Sequence, residues 1–555
     1  MKVLFKEKEY EINEKAKISK LLENEIKNSE FPVVGAKFNN EYQNLDFEIE
    51  NDGKVELIDI SQKEGMKIYR RTLVYTMGKA FEELYPNNKI KVNYQLDNSM
   101  YCTSDNLEIT DEFINNIKSR MTEIINANLK IDKIQLSREE AGKFYEKNHT
   151  SKGRLQVDLE ENEIIYMYKC EEYCNYFYGE IATYTGVTKI FDIEKYNKGF
   201  IIRYPSTAEP YELPPFKETK KLAWALEEYD QIHKILGVDN VYKLNNAVKE
   251  NRIKEIIMID EALHEKKIAN IADKIAKRKG VKMILIAGPS SSGKTTFAQR
   301  LGLQLLLNGL KPVTLSVDNY FVERENTPRL EDGSYNFECI EAIDLELLNS
   351  HLTKLLNGEE VEIPEFDFKV GTKRYNGNMM KLAEDEVLVM EGIHCLNDKL
   401  TNSVPKDQKY KIYISALTVL NMDIYNRIST TDTRFIRRMV RDYQFRGYSA
   451  KDTIDVWPKV NNGELKNIFP FQESADSIFN TSLIYELGAF KNIAMKLLSE
   501  ITPEDTQYAE AKRMMNMLKF FEPIPVDIIP TNSLVKEFLG GGDFRQWWNK
   551  ANLQK

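Results

Sequence analysis

Residues 288–296, GPSSSGKTT, form the most informative motif of the chain. It fits the pattern GxxxxGK(S/T), follows the apolar run 283–287 (MILIA) and precedes a helical pattern that ends at residue 307. The glycines allow a tight turn whose backbone N–H groups surround phosphate oxygens, and the following helix presents its positive end to the same anion. The stretch therefore predicts a phosphate-binding loop at the start of a parallel α/β domain. The candidate ATP-binding residues are Gly288, Pro289, Ser290, Ser291, Ser292, Gly293, Lys294, Thr295 and Thr296.

Chemistry at such a loop requires a metal site and a second carboxylate. Lys294 is predicted to bridge the β- and γ-phosphates, and the Thr295 hydroxyl to bind Mg²⁺. Glu391 ends the apolar run VLVM and is predicted to act on the metal through bound water, with a solvated strand end as the alternative. Asp318 follows the run VTLSV at the predicted ligand-binding edge of the sheet. It is the candidate base for an acceptor hydroxyl, with a turn or helix-capping role as the alternative.

Residues 433–447, TRFIRRMVRDYQFRG, have helical spacing with arginines on successive turns and a glycine hinge at the end. Transfer of a phosphoryl group requires positive charge around it and exclusion of water. We therefore interpret the segment as a lid, with a solvated basic helix as the alternative.

The composition indicates several globular domains. The chain has 555 residues, 42% hydrophobic and 29% charged, and no apolar run reaches the roughly 18 residues of a membrane span. The formal charge of −9 offers no global basic field for a polyanion, and five thinly spread cysteines suit a reducing compartment. The N-terminal residues lack the continuous apolar segment of a secretory signal. We expect a cytoplasmic protein with no membrane partner.

Changes of pattern along the chain predict a multidomain protein with α/β and α+β parts. The predicted units are 1–62, with strands and a helix; 63–216, α+β; 217–279, a helical connector; 280–500, a parallel sheet flanked by helices; and 501–555, a C-terminal tail. The tail is too apolar to be free in solvent, so we expect it to dock on the protein or on a partner subunit.

Six ordered motifs within residues 280–490 resemble the uridine kinase and phosphoribulokinase family: GPSSSGKTT, SVDNYF, YNFECIEAID, IPEFDF, VLVMEGI and RRMVRDYQFRG. The resemblance implies a P-loop NTPase fold and Mg²⁺- and ATP-dependent phosphorylation of a hydroxyl on a nucleoside or sugar-like acceptor. It implies Asp318, Lys294 and Arg441 as catalytic residues. The residues that it places around the acceptor and the phosphates are Glu338, Tyr320, Phe366, Phe368, Arg438 and Arg446.

Some positions depart from the uridine kinase pattern. Phe366 stands where the family has a Tyr near the base, Gly371 where it has a base-contacting His, and Tyr448 where it has an Arg beyond the hinge glycine. Glu338 stands for an aspartate and keeps the charge that is implied to hold ribose hydroxyls. Because sites that read a base do so with polar groups, the base preference stays open.

The N-terminal half resembles other proteins. Residues 1–62 are similar to the β-grasp domain called TGS, and residues 66–205 resemble the editing-type domain of threonyl-tRNA synthetases through YRRTLVYTMGKAFEELYP, ITDEFINNIKSRMTEII and LSREEA. The His and Cys positions of that domain fall on Arg71, Tyr75, Cys174 and Tyr178, and one remaining ligand cannot hold zinc. We expect a scaffold or regulatory unit, with RNA binding as the alternative. The complete domain order resembles a group of bacterial nucleoside kinases.

These interpretations predict a kinase that uses ATP and Mg²⁺ to phosphorylate the 5′-hydroxyl of a nucleoside. The alternatives are a kinase of a phosphosugar or another small alcohol, and an RNA-binding regulator with ATPase activity. Whether the protein forms a homo-oligomer is left open at this point. For His394 the alternatives are contact with the substrate and a packing role. Cys170 and Cys174 are interpreted as structural thiols.

Overall fold

The computed structural model describes residues 1–147, 164–331, 333–367 and 370–544. Phe368, which is predicted to contact the acceptor, and the part of the predicted tail beyond residue 544 lie outside the described residues.

The N-terminal unit has a β-grasp fold, in which a mixed sheet is crossed by short helices. The sheet order is Lys8–Glu11, Lys2–Phe5, Gly53–Asp59, Val33–Phe38, Glu41–Gln43, with the second and third strands parallel and the other pairs antiparallel. The helices are Ile18–Leu21 and Glu23–Lys27, and Ala16–Lys17 pairs with Glu48–Ile49. Val3 and Phe5 are buried against Ile18 and Leu22. The alternation that predicts the first strand is therefore that of a half-buried sheet.

The second unit is α+β. An antiparallel sheet runs in the order Asp192–Tyr196, Gly199–Arg203, Ser99–Ser104, Ile90–Leu96. The helices Lys63–Leu84 and Asp111–Asn126 pack with it through a core that contains Leu73, Ile117 and Phe200. A second antiparallel sheet consists of Asp132–Ser137, Ile164–Cys170 and Tyr173–Asn175, next to the helix Arg138–Lys147.

Three helices link this half to the C-terminal sheet: Lys220–Ile235, Val241–Lys249 and Ile253–Lys277. Ile268 and Ile271 of the third helix are buried with Phe297 and Leu301 of the helix that follows the phosphate loop. This helix is therefore part of the core of the C-terminal unit.

The C-terminal sheet is parallel throughout, as predicted. Its order is Lys311–Ser316, Glu386–Glu391, Met283–Ala287, Lys409–Ser415, Ser477–Asn480. Apolar runs in the sequence mark the first four strands because a parallel sheet is buried on both faces. Ser477–Asn480 is short and partly polar, and sequence reasoning missed it. Since parallel strands end at the same edge, the phosphate loop and Glu391 lie side by side.

Helices cover both faces of this sheet. Leu285 belongs to one core cluster and its neighbour Ile286 to another, as alternation along a strand requires. The helices are Lys294–Leu307, Leu345–Leu356, Thr430–Arg446, Ala450–Asn467 and Glu486–Ser499, followed by Tyr508–Leu518 and Lys536–Leu539. Two short strand pairs are Val361–Glu362 with Met379–Met380 and Glu365–Asp367 with Thr372–Arg374. We call Thr430–Arg446 the arginine helix.

The chain beyond residue 500 packs back on this unit. Phe520, Phe521, Leu534 and Phe538 are at most 1% exposed and share one cluster with Phe435 of the arginine helix. The described part of the tail is thus a component of the kinase-like core.

The two halves of the chain meet at the loop 416–429, which precedes the arginine helix. Asn421 Nδ2 donates to the backbone carbonyls of Val92 and Asn93, at 3.0 Å each. The backbone N–H of Val92 donates to the carbonyl of Ile424 at 2.8 Å. The strand Ile90–Leu96 therefore holds the loop that leads into the arginine helix.

In the described part of the chain, no helix is long and apolar enough to cross a membrane. The same residues contain no group of three or more His, Cys, Asp or Glu side chains that could hold a metal ion. Cys170 and Cys174 lie on neighbouring antiparallel strands and are not joined by a disulfide bond.

Candidate functional site

The phosphate loop turns from the strand Met283–Ala287 into the helix Lys294–Leu307. Ser291 and Gly293 have left-handed backbone conformations, with φ of 60° and 85°. A Cβ at Gly293 would also lie 2.5 Å from Leu534 Cδ2, so this position needs glycine for its conformation and for space. The turn directs the first free N–H groups of the helix into the loop.

The Lys294 side chain lies across the phosphate loop. Its Nζ donates to the carbonyl of Gly288 at 3.0 Å and to that of Pro289 at 3.2 Å. The positive charge lowers the pKa of three surrounding carboxyls, Asp318, Glu338 and Glu391, against the larger effect of burial. One cation therefore faces three carboxylates that come from separate parts of the chain.

Thr295 and Glu391 form the candidate metal site. Thr295 Oγ1 donates to Glu391 Oε1 at 3.3 Å. The sheet register sets this contact, because Glu391 pairs with Ile286 two residues before the phosphate loop. Burial raises the pKa of Glu391. A hydroxyl beside a carboxylate is the oxygen donor set that Mg²⁺ prefers, so these two residues fit a magnesium ion.

Asp318 lies in the short 3₁₀ turn Val317–Tyr320, directly after the strand Lys311–Ser316. Ser316 caps this turn by accepting a hydrogen bond from the Asp318 N–H at 3.3 Å, so the aspartate does not act as the cap. Among the described residues, the Asp318 carboxylate accepts no hydrogen bond and forms no ion pair. Loss of solvation by the surrounding protein raises the pKa of the Asp318 carboxyl, while the positive charges of Lys294 and Arg446 lower it. This acid is free to act on a ligand.

Two arginines of the arginine helix are structural. Arg434 and Arg437 are at most 1% exposed, and they pair with Glu464 at 2.5 Å and Glu486 at 2.6 Å. Arg434 also donates to the carbonyl of Ser290 at 3.1 Å, and Glu464 accepts from the Ser290 N–H at 2.8 Å. This buried ion pair therefore stabilises the conformation of the phosphate loop at Ser290.

The three arginines predicted to face the phosphates share one carboxylate. Arg438, Arg441 and Arg446 approach Asp442 at 3.2, 2.8 and 3.5 Å. Arg438 also donates to Ser290 Oγ at 2.7 Å. Three guanidinium groups around one buried carboxylate leave a surplus of positive charge beside the phosphate loop.

The arginine helix is anchored in the core and is not a solvated basic helix. Its start is held by the buried Arg513, which pairs with Asp432 at 2.7 Å. The interpretation as a lid is therefore corrected: most of this helix is fixed, and the exposed part begins near Arg446 and Gly447, which has a φ of 72°.

The residues predicted around the acceptor lie in different environments. Glu338 faces the site, where burial raises the pKa of its carboxyl and Arg438 lowers it. Phe366 is 6% exposed and packs against Phe321 at 5.6 Å between ring centroids. Tyr320 is fully buried and its hydroxyl bonds to His351 Nδ1 at 3.1 Å. The structure thus places Tyr320 in the core beneath the cleft, and its predicted contact with the acceptor is corrected to a packing role.

His394 is also buried, at 2% exposure, and burial lowers its pKa to about 4. It is therefore neutral near pH 7, and it lies near Glu341 and the backbone of Cys339. Tyr448 is half exposed beyond the arginine helix.

Of the positions that correspond to the synthetase editing residues, Tyr75 lies near Cys174 and Tyr178 lies near Arg71, and three of the four are engaged in hydrogen bonds within the protein. Arg71 donates to the carbonyl of Glu180 and to Glu64, both at 2.9 Å. The Tyr75 hydroxyl donates to backbone carbonyls of the second sheet, at 3.1 and 3.2 Å. Tyr178 donates to the carbonyl of Arg427 at 2.5 Å. These side chains all hold the structure together.

Sequence reasoning missed Asp442, Glu464 and Glu537, all of which touch the site. Asp442 lies in the arginine-rich motif four residues from Arg438 and Arg446, a spacing that predicts ion pairs on a helix. Glu464 and Glu537 are far from the motifs along the chain, and no local pattern identifies them.

Comparison with known proteins agrees with this geometry, which is that of a P-loop kinase. Residues 283–484 match the Phosphoribulokinase / Uridine kinase family. A uridine kinase of Mycoplasma genitalium is 32% identical over 182 residues, which are 33% of this chain and 76% of that kinase. A solved structure of a possible uridine kinase from Bacillus stearothermophilus is 19% identical and covers 39% of this chain and 98% of its own, with a TM-score of 0.26. The chain belongs to the phosphoribulokinase and uridine kinase family.

The N-terminal half is similar to a different class of protein. A threonine–tRNA ligase of Clostridium kluyveri is 34% identical over 159 residues, which are 28% of this chain. Those residues are 25% of the ligase, so the chain spans about a quarter of the length of such relatives.

Proposed function

We propose that this protein is an ATP- and Mg²⁺-dependent kinase that phosphorylates the 5′-hydroxyl of a nucleoside. The observation that carries the proposal is the position of Asp318, whose carboxylate has no hydrogen-bonding partner among the described residues and shares one cleft with Lys294 and Glu391. A base, a phosphate-binding cation and a metal-binding carboxylate are the parts that phosphoryl transfer to an alcohol requires.

The donor binds on the phosphate loop in this proposal. Backbone N–H groups at the start of the helix Lys294–Leu307 hold phosphate oxygens, and Lys294 exchanges its loop carbonyls for the β- and γ-phosphates. Thr295 and Glu391 would hold Mg²⁺, which would neutralise negative charge on the phosphates. These residues fix the γ-phosphate at the edge of the sheet, where Asp318 also lies.

Asp318 then removes the proton from the acceptor hydroxyl. The acceptor oxygen forms a bond to the γ-phosphorus, the bond from that phosphorus to the β–γ bridging oxygen breaks, and ADP leaves with the electron pair. Arg438, Arg441 and Arg446 surround the migrating group with positive charge, which stabilises its equatorial oxygens. Their shared partner Asp442 keeps the three side chains in place.

The acceptor end of the cleft suits a sugar with neighbouring hydroxyls. The Glu338 carboxylate can accept hydrogen bonds from such hydroxyls. Phe366 and Phe321 form an apolar wall for a base. A phosphosugar is the second candidate, because Arg324 packs against Gly371, with its Nε 2.7 Å from where a Cβ would lie. An arginine at this point can bind a phosphate group.

The N-terminal half is proposed to be a scaffold for the kinase unit. Its editing-related positions are engaged in buried hydrogen bonds, and its strand Ile90–Leu96 holds the loop 416–429. A regulator that binds RNA would instead show tRNA binding by the full-length protein that weakens steeply with salt. The scaffold proposal expects no such binding.

The experiment that tests the kinase proposal measures ADP release by the purified full-length protein with Mg²⁺ and ATP. Acceptors are uridine, cytidine, adenosine, guanosine, inosine, thymidine and ribulose 5-phosphate, and mass spectrometry identifies the product. We expect ADP release that depends on a nucleoside. Turnover with ribulose 5-phosphate alone favours the second candidate, and ADP release that no acceptor stimulates contradicts both.

A further inference from the structure

The C-terminal strap, residues 526–544, lies directly on the phosphate loop. Leu534, Val535 and Phe538 are fully buried, and Leu534 packs against Gly293. Gln444 Nε2 of the arginine helix donates to the carbonyl of Phe538 at 3.2 Å. This backbone is therefore part of the protein core and is fixed in place.

Further contacts anchor the start of the strap. Ser533 Oγ bonds with the Tyr485 hydroxyl at 3.0 Å, and that hydroxyl donates to Glu261 at 2.7 Å. Lys536 Nζ donates to the carbonyl of Val526 at 3.0 Å, which closes the strap on itself. These contacts fix the backbone position of residue 537 relative to the phosphate loop.

The Glu537 carboxylate is hydrogen-bonded to a backbone N–H group of the phosphate loop. Its Oε2 accepts a hydrogen bond from the backbone N–H of Thr296 at 3.1 Å. Thr296 follows Lys294 and Thr295 in the first turn of the helix, where free N–H groups and the helix dipole favour an anion. Backbone N–H groups at this part of a phosphate loop hold the α- and β-phosphates of a nucleotide. A carboxylate and a phosphate therefore require the same donor.

Two carboxylates accept hydrogen bonds from backbone N–H groups of the phosphate loop, and their side chains differ in how firmly they are held. Glu464, on Ser290, is locked by its buried ion pair with Arg434. Glu537 is half-buried, and it takes part in no ion pair within the described ranges 1–147, 164–331, 333–367 and 370–544. Its side chain can thus swing away from Thr296 while Leu534 and Phe538 keep the strap in place.

We propose that Glu537 is an internal competitor for the donor nucleotide, which must displace this carboxylate from the Thr296 N–H before it binds fully. This inference rests on the proposed function, because it takes a nucleotide as the ligand of the loop. Glu537 lowers donor affinity by the hydrogen bond that is lost and by repulsion between the carboxylate and the phosphates. The residue lies outside the family match at 283–484.

The test compares binding of ATP with Mg²⁺ by isothermal titration calorimetry. The proteins are the unchanged full chain, Glu537→Gln and the matched control Glu522→Gln. Glu522 lies upstream of the strap, where it pairs with Lys249 at 3.4 Å. Since a charged acceptor forms a stronger hydrogen bond than a neutral amide, we expect Glu537→Gln to bind ATP about fivefold more tightly. Glu522→Gln should match the unchanged protein.

Equal or weaker ATP binding by Glu537→Gln overturns the competitor and leaves the kinase proposal intact. A failure of the unchanged protein and of both variants to bind ATP overturns the proposed function itself. Glu537→Asp gives an independent reading, because its shorter side chain keeps the charge but does not reach Thr296. If hydrogen bonding to Thr296 carries the effect, Glu537→Asp also binds ATP more tightly than the unchanged protein.

Discussion

The phenol of Tyr178 donates a hydrogen bond to the backbone carbonyl of Arg427, at 2.5 Å. Tyr178 belongs to the ligase-like half, and Arg427 lies three residues before the arginine helix Thr430–Arg446. The protein around the hydroxyl raises the pKa of Tyr178 to about 12, so it remains a donor at any physiological pH. This hydrogen bond therefore connects the ligase-like half to the kinase unit.

Replacement of Tyr178 by Phe tests this connection. The variant leaves the Arg427 carbonyl without its donor, so we expect a loss of about 1–3 kcal/mol of stability. At about 2–4 °C for each kcal/mol, thermal unfolding should show a lower Tm. Tyr184→Phe is the control, because Tyr184 is 41% exposed. Equal Tm values for the two variants would contradict a role for this hydrogen bond.

Asp318→Asn should abolish most transfer and preserve donor binding. Loss of a general base lowers kcat by about 10²–10⁴-fold, whereas the Asp318 side chain forms no hydrogen bond or ion pair with the described residues of the phosphate loop that the donor needs. Asp407→Asn is the control, since Asp407 is exposed on a surface turn far along the chain. Steady-state kinetics and ATP titration separate the two effects, and near-normal kcat in Asp318→Asn would exclude this residue as the base.

The pH dependence of turnover should report the Asp318 carboxyl. Transfer requires the carboxylate, so kcat/KM rises with pH through its pKa, which crowding in the cleft raises above that of an ordinary aspartate. Arg446 opposes this shift, so Arg446→Gln should move the acidic limb to higher pH. Arg278→Gln, at the surface ion pair with Asp476, should leave the limb in place. A limb that does not move in Arg446→Gln would show that another group controls it.

The buried pair Arg434 and Glu464 should be costly to break from one side. Arg434→Met leaves an uncompensated carboxylate, and we expect about 3–5 kcal/mol of destabilisation. The double variant Arg434→Met/Glu464→Met removes both charges and should recover part of that loss. Chemical denaturation of the unchanged protein, Arg434→Met, Glu464→Met and the double variant measures the coupling. Additive losses in the double variant would mean that the two side chains act independently.

Asp260 should make the protein less stable as the pH rises. It is 1% exposed and accepts from the Ile484 N–H at 2.7 Å. Burial, with Glu261 and Glu486 nearby, raises its pKa to about 8. The folded state therefore binds this proton more tightly than the unfolded state. The contribution of the protonated Asp260 carboxyl to the free energy of unfolding is full near pH 4 and is lost as the pH rises towards 8.

Asp260→Asn keeps the shape and the acceptor oxygen but does not titrate. We expect its Tm to exceed that of the unchanged protein by at least about 3 °C at pH 8 and by a smaller margin at pH 5. Differential scanning fluorimetry at both pH values measures this. A Tm difference that is the same at pH 5 and pH 8 would exclude Asp260 as the titrating group.

The phosphate loop and the parallel sheet could be read from the amino-acid sequence because their determinants are local. The run 283–287 forms a strand because it is buried on both sides, and the spacing of Gly288, Gly293 and Lys294 defines the turn by itself. Asp318 and Glu391 follow from the same logic, since the ends of parallel strands meet at one edge. Their roles in transfer stay predictions until the variants are measured.

Other features depended on the tertiary structure. Tyr320 lies in a motif but points into the core, and the arginine helix is fixed by Glu464 and Glu486 from later helices. Glu537 reaches Thr296 across 241 positions of the chain. Local patterns were sufficient to predict the elements whose backbone geometry is set by neighbouring residues. The distant side chains that meet at the loop could be identified from the folded structure alone, because such contacts arise from the packing of whole units and leave no periodic pattern in the chain.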